Sequence, residues 1–90
     1  MYQWVNHIAD RAPKLAKVHA IADSGIFLDS MNYATKESNY RKWIQNFMSL
    51  SNMEVDPPTP ECIKANPTEK WKCMFAANLY PYIKVPFFSI

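Results

Sequence analysis

Ninety residues, 49% hydrophobic, 14% aromatic and 20% charged, make a chain that has to bury a core, because it is too apolar to stay disordered. Ten Lys and Arg against eight Asp and Glu give a formal charge of +2, scattered along the chain rather than gathered into a stripe, which argues against nucleic acid as a partner. No apolar run approaches the roughly 18 residues of a membrane span, and the single glycine, Gly25, excludes glycine-rich phosphate loops and a Gly-x-Ser-x-Gly nucleophile turn within these residues.

In chain order, Trp4, Val5 and Ile8 recur at helical spacing, and the pattern stops at Arg11-Ala12-Pro13, where the proline disfavours a further turn. The N-terminus, Met1-Tyr2-Gln3-Trp4, lacks the basic start and apolar centre of a signal peptide. The short apolar run Lys17 to Ala22 reads as a strand leading into the turn chemistry of Asp23-Ser24-Gly25.

Thr35 is the expected N-cap of the clearest amphipathic helix, with Glu37 in its first turn and Tyr40, Trp43, Ile44, Phe47 and Met48 on one face. Asp56-Pro57-Pro58-Thr59-Pro60 is expected to form neither helix nor central strand. Asn66 as N-cap, Pro67 at the first helical position and Glu69 predict another helix, with Trp71, Met74, Phe75 and Leu79 on one side and Pro81 closing or kinking it. Val85 to Ile90 reads as a second strand, so apolar that it needs neighbours on both faces. Two strands and about three helices in this order predict the α/β class, as a partial sheet rather than a complete domain.

Residues with chemistry have plain structural readings beside the functional ones. Ser24 lies between Asp23 and Gly25, where a turn residue is favoured over a nucleophile that would need a base and an oxyanion hole. His7 and His19 are the only histidines, and both read as structural or exposed rather than as general bases. Asp23 and Asp29, six residues apart across a turn, could pair as carboxylates, but Asp23 is better read as an acceptor of loop backbone N–H groups. Cys62, Cys73 and the histidines match no metal-binding spacing, and no cofactor is called for. Composition alone leaves open whether the two cysteines form a bridge or remain as buried thiols.

The segment Asp23-Ser24-Gly25-Ile26-Phe27-Leu28-Asp29 resembles the Asp-Ser/Ala-Gly-x-Phe-Leu-Asp block of the pectin acetylesterase and Notum-like carboxylesterase family. Glu61-Cys62, Trp71-Lys72-Cys73-Met74-Phe75 and Leu79 to Phe88 are similar to that family's aromatic helix and following strand, in the same order and at about the same separation. The resemblance covers the chain from Trp4 onward. It implies that residues 1–90 are an internal segment of one α/β-hydrolase-type esterase domain, secreted, acting on an acylated substrate such as a polysaccharide acetate.

By the same resemblance the Ser, Asp and His of the triad fall outside residues 1–90, so the chain alone is expected to be inactive. It further implies a pocket loop of Asp23, Ser24, Gly25 and Asp29, an acyl-pocket wall of Phe27, Met74 and Phe75, and a Cys62 to Cys73 disulfide. Met74 stands where family members often carry an aromatic ring, which keeps the wall apolar but makes its shape adaptable. Two readings rival the esterase segment: a non-catalytic interaction module that uses exposed apolar surface, and a small disulfide-containing helical domain.

Overall fold

The computed structural model describes residues 2–23, 25–53, 55 and 57–90. Among them are four α-helices, two 3₁₀ helices and a two-stranded parallel sheet, a mixed α/β arrangement. Helix α1 spans Tyr2–Arg11 and strand β1 spans Ala20–Ala22. Helices α2 (Asn39–Leu50), α3 (Pro60–Ala65) and α4 (Ala76–Leu79) follow, and strand β2 closes the order at Phe87–Ser89. The 3₁₀ helices occupy Lys70–Met74 and Tyr80–Tyr82.

Strand β1 pairs with β2 in parallel, Ala20 opposite Phe87, Ile21 opposite Phe88 and Ala22 opposite Ser89. Parallel neighbours require a crossover, and here every helix after α1 lies within it. Side chains alternate across the sheet. Ala20 and Ala22 turn inward and are buried, while Ile21 and Phe88, partners in the register, are 61% and 66% exposed. The inward side meets the disulfide: Ala22, Cys62, Cys73 and Leu79 form one buried cluster, with Ile63, Tyr82 and Ile83 packed against it.

Helix α1 forms where its spacing predicts, but its faces differ from the expectation. Val5 and Asn6 are the buried pair, whereas Trp4 and Ile8 are exposed. The reason is polar: the Asn6 side chain donates to the Tyr82 carbonyl at 2.6 Å and accepts from the Lys84 amide at 2.8 Å, which turns that side of the helix toward the C-terminal segment.

In α2 the predicted stripe divides. Ile44 and Met48, four apart, are buried, and Trp43 and Phe47 lie beside them, exposed and stacked on one another. The expected cap at Thr35 is corrected to Ser38. Residues 32–37 are held instead in a turn, in which the Asn32 side chain accepts the Ala34 and Thr35 amides and Lys36 adopts φ 58°. Asn is among the residues that favour such local bonding over helix.

Two further corrections concern the second half. The proline run does start a helix: Thr59 is the N-cap of α3 and Pro60 takes the first helical position, where a missing N–H costs nothing. Asn66 ends that helix rather than beginning the next, its amide bonding the Cys62 and Ile63 carbonyls and its Nδ2 donating to the Cys62 carbonyl.

The expected continuous helix through Leu79 is broken at Phe75, whose backbone is extended (φ −99°, ψ 137°). The break carries the Phe75 ring into the core at 1% exposure and aims the Ala76 amide at the Phe27 carbonyl, 3.1 Å away. A continuing α-helix would have spent that amide on its own fourth-preceding carbonyl. Burying a ring of this size contributes about 1.5–3 kcal/mol, enough to repay the interrupted helix.

Candidate functional site

The chain leaving β1 runs without regular structure through residues 25–31 and passes in front of α2 and the start of α4. Asp23 lies exposed at the end of the strand, and Ser24 falls outside the described residues. Gly25 packs against Ala22, where an added Cβ would come within 3.4 Å of the alanine Cβ. Its φ is not positive, and a Cβ there would make ordinary contact, so neither a left-handed turn nor a close approach demands the glycine.

Phe27 is partly exposed, and its ring centroid sits 6.1 Å from that of Tyr40 on α2. Phe75 meets the same Tyr40 edge-on at 5.9 Å, and Trp71 meets Phe75 edge-on at 5.9 Å. Phe27 and Phe75, 48 residues apart in the chain, are thus joined by a tyrosine that the sequence reading placed only on a helix face. Edge-on and tilted geometries suit the ring quadrupoles. Burial pushes the Tyr40 phenol above its ordinary value by penalising the charged form.

Met74 borders a different feature. It lines a small apolar recess with Met48, Met53, Pro57, Pro58, Thr59, Ile63 and Cys73, on the disulfide side. The other residues of the loop build a second apolar hollow, of about 280 Å³, in which Ile26 and Leu28 face Ala76, Ala77, Tyr80, Phe87 and Ser89. Alternation along the extended loop accounts for this: Phe27 turns one way, Ile26 and Leu28 the other. The signal for that hollow was present in the apolar run Ile26 to Leu28, but its partners come from α4, the second 3₁₀ helix and β2.

Asp29 is held by Arg41 of α2. Arg41 Nε donates to both carboxylate oxygens at 3.1 Å, and its terminal nitrogen donates to Oδ2 at 2.7 Å. The guanidinium also lies 5.0 Å from the Trp71 ring centroid. The hydrogen bond to Asp29 raises the Arg41 pKa above its already high value.

Cys62 and Cys73 form a disulfide joining α3 to the first 3₁₀ helix, both residues buried. The His7 ring nitrogen lies 3.0 Å from the Arg11 guanidinium within α1, edge-on to Trp4, and His19 is exposed just before β1. Among the described residues no cluster of three His, Cys, Asp or Glu could hold a metal, and no helix is long and apolar enough to cross a membrane.

Comparison with known proteins gives this arrangement its context. The whole chain, residues 1–90, matches the family model described as Pectinacetylesterase. The palmitoleoyl-protein carboxylesterase NOTUM of Drosophila melanogaster is similar, 32% identical over 71 residues, which cover 79% of this chain and 10% of that protein. The matched part therefore spans about a tenth of that relative's length. No solved structure matches the chain. With its full length matched and the Asp23 to Asp29 block and both cysteines in place, the chain belongs to the pectinacetylesterase family of carboxylesterases.

Proposed function

We propose that residues 1–90 are an internal segment of a secreted serine carboxylesterase with an α/β-hydrolase-type sheet, and that they supply part of its acyl-pocket wall. The observation that carries this reading is the convergence of Phe27 and Phe75 on Tyr40, beyond the carboxyl end of a parallel strand. Ligands of open parallel sheets bind at that end, outside the strand tips. Asp23, Gly25 and Asp29 belong to the loop that delivers Phe27, and the proposed pocket loop also includes Ser24, which lies outside the described residues. Met74 belongs to the support behind the wall, and Tyr40 takes the place in the wall first given to it.

In the complete enzyme a serine outside this segment attacks the ester carbonyl while a histidine takes its proton and an aspartate orients the ring. Backbone amides hold the oxyanion until the alcohol leaves, and water then releases the acyl group from the serine. None of those groups is supplied by residues 1–90, and the isolated chain does not turn over esters. The buried disulfide supports maturation in an oxidising compartment.

The test is Phe27→Ala in the esterase that carries the segment, assayed on p-nitrophenyl esters of acetate and octanoate. The expected result is a changed octanoate-to-acetate ratio of kcat/KM. An unchanged ratio sinks the pocket assignment, and turnover by the 90-residue chain alone sinks the placement of the triad outside it.

A further inference from the structure

The loop that carries Phe27 has little burial to hold it. Residues 26 to 31 are all exposed, and no regular structure spans them. A segment of this kind belongs to the low-stability end of a fold unless polar tethers fix it. Two are present: the Phe27 carbonyl accepts the Ala76 amide, and Asp29, two residues on, receives the forked guanidinium of Arg41.

An isolated surface ion pair would be a weak tether, since both side chains lose freedom to make it. Arg41 differs in two respects. Its planar fork engages both oxygens of Asp29, and its other side is laid against Trp71, so the guanidinium is already ordered before the carboxylate arrives. Trp71 in turn stands edge-on to Phe75. One cation thus ties the loop bearing Phe27 to the element bearing Phe75.

We propose that Arg41 is a positioning residue for the candidate acyl site, setting the separation of Phe27 from the Tyr40 and Phe75 rings through Asp29 on one side and Trp71 on the other. The claim about substrate choice rests on the pocket reading above, whereas the claim about loop position does not. Arg41 touches no reacting atom. Its loss widens the site and leaves the chemistry in place, so longer acyl chains are held less well while acetyl transfer continues.

Position is read by amide hydrogen exchange in the esterase that carries the segment. In Arg41→Gln the Ala76 amide exchanges about tenfold faster while the Met48 amide of α2 keeps its rate, as expected for local rather than global opening. Asp29→Asn gives the same selective change and serves where the first variant fails to fold. Equal rates at Ala76 in folded variant and parent overturn the proposal whatever the pocket does, as does acceleration of Met48 alongside it.

Selectivity is read in the esterase carrying the segment. Arg41→Gln and Asp29→Asn each raise KM for the octanoate ester about fivefold or more with kcat and the acetate ester within twofold, and the double variant is no worse than the worse single one, because both remove one link. Additive losses, or an equal loss on both esters, overturn it. If Phe27→Ala changes the ester ratio and Arg41→Gln does not, the positioning role fails and the pocket stands. If Phe27→Ala leaves the ratio unchanged while Ala76 exchange still responds to Arg41→Gln, the pocket assignment fails and the tether stands.

Discussion

Replacing Asn6 by alanine perturbs the point where the two ends of the chain are tied. The side chain is 6% exposed and makes two hydrogen bonds, to the carbonyl of Tyr82 and the amide of Lys84. Each bond contributes about 1 kcal/mol net, and a buried group left without a partner costs about 1–3 kcal/mol more. Lys84 is exposed and Tyr82 only partly buried, so water can reach at least one of the orphaned groups.

The expected loss for Asn6→Ala is therefore about 2–3 kcal/mol. A chain of this size has about 5–13 kcal/mol in all, so the change is a large share of its stability. It should lower the melting temperature by about 10–20 °C.

Asn6→Asp sharpens the test. The carboxylate keeps an acceptor for the Lys84 amide but faces the Tyr82 carbonyl with no proton to give. Its folded-state pKa is raised, so the variant is most stable below the ordinary aspartate value of about 4, where the protonated acid can donate, and loses stability as pH rises through the folded value. Urea unfolding followed by tryptophan fluorescence at pH 4 and pH 7 measures both effects. Asn6→Ala within about 0.5 kcal/mol of the parent, or Asn6→Asp less stable at pH 4 than at pH 7 relative to the parent, would refute the reasoning.

Three other outcomes are expected. Cys62→Ser/Cys73→Ser should cost about 2–3 kcal/mol in the chain-entropy account of an 11-residue separation, measured by urea unfolding with the slope fitted separately for each protein, because the unlinked unfolded chain is more expanded. Glu61 is held below the ordinary carboxylate range by its own backbone amide and by the Lys84 ammonium at 3.1 Å, and Lys84 is raised by the same pair. That pair supports the fold above the ordinary glutamate value and is lost as pH falls through the depressed one; at the alkaline end it is lost as pH rises through the raised lysine value. Carboxyl NMR titration of Lys84→Ala should therefore show Glu61 moving upward. Tyr40 should ionise above the ordinary tyrosine value of about 10, and ultraviolet titration of Tyr40→Phe should lose that late step.

What the sequence discloses follows from how local each determinant is. Helix α2 is legible because its apolar repeat and its surroundings agree, and the strands are legible from short apolar runs beside turns. The division of its stripe, with Ile44 inward and Trp43 outward, depends on which neighbour arrives, and no periodicity states that. The helix expected from Asn66 to Leu79 has good local signals, but it yields at Phe75 to a ring burial and to an amide that serves a loop about fifty residues earlier. Tyr40 and Arg41 were readable as helix residues. Their partners Phe27, Phe75 and Asp29 lie 12 to 35 positions away, so the site they form is a property of the packing.

The pairing of β1 with β2 also sets an order of events. Ala20 meets Phe87, so the strand made first cannot pair with β2 until almost the whole crossover has been synthesised. The disulfide loop, closed between positions 62 and 73, can form while β1 is still waiting. Contacts of such long range are slow to form, and the unpaired apolar run is open to wrong partners in the interval. The crosslink between α3 and the first 3₁₀ helix is therefore available before the strand pairing it packs beneath.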